Sequence, residues 1–295
     1  MTTRPTRLIG CGQITWPRQM PEEHVLAEIA AAGYDGAPAG PTVGETAAQT
    51  LARYRASGLR PAPGYLGADF WRRDQRPAIL ERAAEFAAFA AAVGCHELYV
   101  APAGFDYVTR SGQTRSQVSG HVAPDDALHA DELQIFAETL NAVGERTLRE
   151  GVASCFHNHV GAVIETRDEI DRLLALTDPS LVFLGPDTGH LAWAGADPVA
   201  FVRQYAGRIR TLHVKDVDAA VVTWARQQRA SYAEAQQAAI WTELGRGSVD
   251  FPAIFAALDA VGFGGWVIVE TDVTQLPTAL ESARVSRAYL RTLGL

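Results

Sequence analysis

Hydrophobic and polar positions alternate along the chain in two periods. Short apolar runs read as strands at Leu8–Ile14, Tyr34–Ala39, Leu59–Tyr65, Glu97–Ala101, Val152–His157, Leu181–Pro186, Arg210–Val214 and Trp266–Glu270. Longer Ala-rich amphipathic segments between them read as helices at Glu22–Ala32, Gly44–Ser57, Pro77–Val93, Pro124–Glu150, Arg167–Leu176, Asp197–Tyr205 and Pro252–Val261, with a last helix at Leu276–Thr292. Gly33, Gly58, Gly94, Gly151 and Gly262 each follow a helical pattern and precede an apolar run, where a left-handed helix C-cap is needed. Eight strand–helix units within 295 residues predict an α/β fold, a single (β/α)8 TIM barrel spanning residues 1–295. An open doubly wound sheet fits less well, because Gly10-Cys11-Gly12 lacks the third glycine of a dinucleotide-binding turn. Two stretches exceed a minimal barrel: a polar loop, Phe105–His121, after strand four, and Asp218–Glu243 after strand seven, with a helical stretch at Thr223–Ala239. Both follow strands, so both are expected on the catalytic face as lids.

Composition narrows the class. With 47% hydrophobic and 20% charged residues the chain can bury a large core. No apolar run is long enough to span a membrane. Met1–Arg7 is polar and no apolar segment with a cleavage site follows it, so no secretory signal is expected. Three scattered cysteines, Cys11, Cys95 and Cys155, suit a reducing cytoplasm better than a disulfide framework. A net charge of −8 disfavours nucleic acid as a partner. Of the 26 basic residues a single one is lysine, Lys215. A compact, tunable amine kept in a chain that otherwise uses arginine suggests a site that needs one.

The polar residues collect where a barrel places its chemistry, at the C-terminal ends of strands. Strand five ends in His157-Asn158-His159, with Glu165 a short hairpin further on. Strand six ends in Asp187-Thr188-Gly189-His190, strand seven carries His213-Val214-Lys215-Asp216, and strand eight ends in Glu270-Thr271-Asp272. Period-two alternation puts His157 with His159, and His213 with Lys215, on common faces. A lone histidine at a strand end is ordinarily a hydrogen-bonded structural residue, and Asp187-Thr188-Gly189 alone could be an Asx turn. Four such ends on consecutive strands are better explained by one convergent site. Imidazole with carboxylate is a ligand set for a divalent metal ion: Mn, Co, Zn or Mg.

The runs His157-Asn158-His159-Val160-Gly161, Glu165-Thr166, Pro186-Asp187-Thr188-Gly189-His190 and His213-Val214-Lys215-Asp216, with Pro63-Gly64-Tyr65, resemble those of myo-inosose dehydratases. These enzymes belong to the xylose-isomerase-like sugar isomerase/epimerase superfamily, and the resemblance covers nearly the whole chain. Where inosose dehydratases tend to have a Pro-Gly-Asp-Gly run, this chain has Glu243-Leu244-Gly245-Arg246-Gly247-Ser248. The resemblance implies a metal held by Asp187, His213, Glu270 and a strand-five group, with Glu165 favoured there and His157 or His159 as substitutes. It also implies substrate contacts from His190 and Lys215. The expected substrate is a polyol ketone or keto sugar, handled through an enediolate, in carbohydrate metabolism and inositol catabolism. The leading expectation is a lyase removing water from a cyclic polyol ketone; the alternative is a sugar isomerase or epimerase. Lys215, His190, His157 and His159 are the expected catalytic residues. A DNA-repair enzyme of the endonuclease IV type is disfavoured, because predicted strands two, three and four end in Ala39, Tyr65 and Ala101 rather than histidine. A homo-oligomer is compatible with the sequence.

Overall fold

The computed structural model describes residues 6–295, so most of the Met1–Arg7 segment lies outside the described residues. The strands in chain order are β1 (Leu8–Cys11), β2 (Gly36–Pro38), β3 (Arg60–Ala62), β4 (Gly64–Ala68), β5 (Glu97–Pro102), β6 (Ala153–Phe156), β7 (Val182–Leu184), β8 (Leu212–Val214), β9 (Asp216–Val217), β10 (Trp241–Thr242) and β11 (Trp266–Val269). Two parallel sheets run β3-β2-β1-β11-β8 and β4-β5-β6-β7. They join at both seams. On one side β3 continues into β4 through Pro63, which has no N–H to give to a ladder, so pairing passes from β2 to β5 at that residue. On the other, parallel bridges Leu184↔Ile209 and Asp187↔His213 tie β7 to β8. The eight predicted strands thus close into a barrel, with β3 and β4 forming one stave.

Inside the barrel, Ala62, Tyr99, Trp266 and Ile268 form a small separate core. The Tyr99 hydroxyl meets Thr211 Oγ1 at 2.5 Å across it. Gly10 makes room for this layer: a Cβ there would lie 2.6 Å from Ile268. The larger core fills the space between strands and outer helices. Helix Glu22–Ala32 has its predicted bounds and closes on Gly33 at φ 87°, the left-handed cap. Thr46 with Gln49 makes a capping box, so the second helix starts at Ala47 rather than Gly44.

Other elements depart from expectation. The stretch Pro124–Glu150 divides into a 3-10 turn, Pro124–Asp126, and a helix, Ala130–Leu148. The insertion after β8 is two helices, Ala219–Gln228 and Tyr232–Gln237, where one was predicted; Arg229 at φ 53° ends the first and Ser231 caps the second. The antiparallel pair β9–β10 closes the base of that insertion. A short helix, Thr188–Trp193, follows β7 where no helix was predicted. Arg287, in the last helix, is buried and donates to the Gly33 carbonyl at 2.8 Å. Among the described residues no helix is long and apolar enough to cross a membrane.

Candidate active site

The ends of β6, β7, β8 and β11 meet over the barrel core. Asp187 lies just past β7 and caps the short helix, its Oδ1 accepting from the His190 N–H at 3.0 Å. Asn158, just past β6, clamps the same residue: its Oδ1 accepts from the Asp187 N–H and its Nδ2 donates to the Asp187 carbonyl. Asp187 Oδ2 is left buried without a hydrogen bond. His157 Nδ1 lies 3.2 Å from the Gly185 carbonyl; a carbonyl only accepts, so Nδ1 carries the proton and Nε2 keeps a lone pair. His213 is buried with neither ring nitrogen hydrogen-bonded, and its Nδ1 lies 3.3 Å from Glu270 Oε2 and 3.8 Å from Asp187 Oδ2.

His157, Asp187 and His213 each offer one ligand atom, and these atoms lie within 4.8 Å of one another. Buried polar groups ordinarily find partners, so an unbonded His213 ring facing an unbonded Asp187 carboxylate oxygen, Nδ1 to Oδ2 3.8 Å, fits a metal ion. Burial pushes the Asp187 carboxyl up to about 6, against the pull of Lys215 and His213. Burial, followed by His213, holds His157 well below the usual histidine range. For Glu270 burial acts upward, but His213 and Lys215 together outweigh it and bring its carboxyl well below the usual range.

Lys215 sits beside this group, fully surrounded. Its Nζ lies 2.6 Å from Asp272 Oδ1, 3.1 Å from Glu270 Oε2 and 3.6 Å from Asp187 Oδ2. The Trp241 ring, 5.2 Å away, covers another side. Burial opposes the charge, yet Asp272, Asp187 and Glu270 raise the Lys215 pKa well above that of a free lysine. His190 accepts from the Val160 N–H at Nδ1, so its Nε2 carries the ring proton, 3.4 Å from Lys215 Nζ. His159 stacks on His190, with ring centroids 3.8 Å apart. Its Nδ1 donates to the Val160 carbonyl at 2.7 Å, and burial with Lys215 lowers its pKa to about 4. The neutral ring therefore keeps a lone pair on Nε2. Both predicted lids reach this point: Phe105 and Tyr232 flank His159, and the Tyr232 N–H donates to the Ser116 carbonyl at 2.9 Å. A cavity of about 320 Å³ opens over the group.

A family model described as xylose isomerase-like TIM barrel matches residues 26–293. The chain belongs to that family. Among its relatives, an inosose dehydratase of Geobacillus thermodenitrificans is 37% identical over 167 residues, 56% of each chain. The match thus spans about half the length of that relative. An inosose dehydratase of Geobacillus kaustophilus is 29% identical over 281 residues, covering 92% of this chain and 89% of the relative. The fold matches the crystal structure of a sugar phosphate isomerase/epimerase from Parabacteroides distasonis with a TM-score of 0.70 at 17% identity, over 99% of this chain and 96% of the other.

In this xylose isomerase-like barrel, Glu165 is not brought to the metal-ligand group. Its Oε1 accepts from the Gly120 N–H and its Oε2 from the Gly161 N–H, both at 2.7 Å. Arg115 lies 3.9 Å away and is itself paired with Glu169. Both carboxylate oxygens are thereby used to pin the loop after β5 to the loop after β6. Glu165 therefore stands outside the group, and the strand-five member of the group is His157, which the sequence had offered as a substitute. Three residues were not singled out as site residues: Asn158, Asp272 and Tyr232. Asp272 had a signal, since period two from Glu270 sets both on one face; Tyr232 lies in an inserted helix and had none.

Proposed function

We propose that this protein is a divalent-metal-dependent lyase that removes water from a cyclic polyol ketone of the inosose type. The observation that carries the reading is the buried set His157, Asp187 and His213, in which Asp187 Oδ2 and the His213 ring have no hydrogen bond, with Glu270 and Lys215 beside it, in a chain related to inosose dehydratases. His157, Asp187, His213 and Glu270 would hold a divalent ion; Mn, Co and Zn accept imidazole together with carboxylate more readily than the harder Mg. Such an ion supplies positive charge at a ketone oxygen, where negative charge gathers as the neighbouring C–H ionises.

The chain's own groups handle the protons. His159 Nε2, neutral and carrying a lone pair, accepts the proton from the carbon next to the ketone. The hydroxyl on the following carbon departs with a proton from the Lys215 ammonium, so water leaves and the enol formed tautomerises to a 1,2-dione. Asp272 and Glu270 hold the ammonium in place, and His190, fixed by Val160, keeps the His159 ring seated. Tyr232 and Phe105 shelter the site from bulk water. The substrate of this reading is a small polyol ketone.

The test is to purify the protein, measure metal per chain, and add 2-keto-myo-inositol while following dione formation. About one divalent ion per chain and metal-dependent dione formation are expected. Turnover of a ketohexose panel with no dione from the inosose would replace the lyase by an isomerase or epimerase.

A further inference from the structure

The two halves of the cavity wall differ in kind. One is the histidine, lysine and glutamate group described above; the other is Ile14, Pro38, Pro63, Tyr65 and Tyr99, from the ends of β1 to β5. Two polar groups of this second half are already engaged. The Tyr99 hydroxyl is spent on Thr211. The Pro38 carbonyl accepts from Tyr54 Oη at 2.7 Å and from Gln13 Nε2 at 3.1 Å, which uses both its lone pairs and ties Gln13 to that wall. The side chains of Ile14 and Pro63 offer nothing polar, so the Tyr65 hydroxyl is the one side-chain group left on that half. The cavity lining also holds a single cation, Lys215, already facing three carboxylates.

We propose that the preferred substrate is an uncharged cyclic polyol ketone that lacks a free hydroxyl at the ring position opposite the ketone, either deoxygenated or O-alkylated there. The ring class rests on the lyase reading above; the missing hydroxyl rests on the wall. The polar half engages the ketone and the reacting carbons, which turns the opposite carbon of a six-membered ring towards Ile14, Pro38 and Pro63. A hydroxyl there meets apolar side chains with only the Tyr65 hydroxyl on that half to answer it, whereas a methylene or a methyl ether packs against the wall. A phosphate or carboxylate there meets no spare cation.

The experiment compares 2-keto-myo-inositol with its 5-deoxy and 5-O-methyl derivatives on the metal-loaded full chain. At least one derivative is expected to exceed the parent in kcat/KM by about fivefold or more, mainly through KM, a contrast within the range of apolar-pocket discrimination. Calorimetric binding of unreactive myo-inositol and 5-deoxy-myo-inositol should rank the same way. Ile14→Asn, at a position 56% exposed and so tolerant of a polar side chain, should bring the parent and the derivatives towards parity. A parent ketone that equals or exceeds both derivatives, or a preference unchanged in Ile14→Asn, overturns the proposal. If none of the ketones is dehydrated the lyase reading falls, and the binding ranking of the two unreactive polyols still decides the wall's preference.

Discussion

Replacing Lys215 by Met removes the one buried ammonium while keeping a side chain of similar length. Three carboxylate groups, on Asp272, Glu270 and Asp187, then face one another across the space that Nζ filled at 2.6, 3.1 and 3.6 Å. Removing one partner of a buried ion pair costs roughly 3–5 kcal/mol, because the remaining charge stays out of water. Proton uptake by one carboxyl relieves part of this, so a loss of about 3 kcal/mol is expected for the metal-free protein at neutral pH. A divalent ion restores positive charge to the same carboxylates, so the loss should shrink when metal is saturating. Metal affinity should hold or rise, since Lys215 repels the ion in the parent. The rate should nevertheless fall, by roughly a hundredfold or more in kcat, as expected for loss of a general acid. Lys215→Arg separates charge from shape. Trp241 lies 5.2 Å from Nζ, and a Cβ on Gly189 would come within 2.6 Å of Lys215 Cβ, so a flat guanidinium has little room. At least a tenfold loss in kcat, about 1.4 kcal/mol, is expected there with metal content unchanged. Urea unfolding with and without metal gives the stability arm, and dione formation gives the rate. Parent-like kcat in both variants on a substrate the protein turns over, or an unfolding free energy unchanged in Lys215→Met, would refute the reasoning.

His213→Ala and His157→Ala should each weaken metal binding at least about tenfold and abolish activity, measured by competition with a metallochromic chelator. Glu165→Gln should keep the metal, because neither of its oxygens faces the ligand group. It should lose about 1–3 kcal/mol of stability, because the new amide N–H2 confronts a backbone N–H of Gly120 or Gly161. Asp187 titrates at about 6 in the metal-free protein against 3.8 when free, so its contribution to folding is present below about pH 4 and is lost as pH rises through 6. Metal binding needs the carboxylate, so apparent affinity should fall about tenfold per pH unit below 6 and level off above it, and a pH series of metal titrations checks this.

The fold was legible wherever local chemistry and tertiary packing agree. Glu22–Ala32 carries its own start and stop, with acidic residues in the first turn and Gly33 in the left-handed conformation at its end. The third stave was legible as one strand but not as two, because its halves are defined by pairing with β2 and with β5, which lie elsewhere in the chain. The helix Thr188–Trp193 was hidden by its length of six residues and by Gly189, a poor helix former. It is specified instead by the Asp187 cap and by the close approach of Gly189 to Lys215. The divided insertion depends on Arg229 in the left-handed region, which an arginine does not announce.

The site was legible to the extent that strand period dictates it. His213 and Lys215 share a face, and both approach the same Glu270 oxygen, at 3.3 and 3.1 Å. Glu165 shows where that reasoning stops. A carboxylate a short hairpin beyond a strand end can turn either way, and what turns it here is Gly120 and Arg115, supplied by a loop some fifty residues earlier in the chain. Arg115 is fully buried, bonded to Glu169 and to the Ala162 carbonyl, so its guanidinium must be matched by carboxylate in the same place. Moving Glu165 to the metal would leave Gly120 and Gly161 N–H groups and part of that charge unanswered in the interior. His157 has the opposite balance. Its Nδ1 is anchored on the Gly185 carbonyl, and its Nε2 has no other acceptor role to give up, so turning to a metal costs the fold nothing. Long-range hydrogen-bond demand, rather than the ligand type alone, therefore decides which strand-five residue is free to bind an ion.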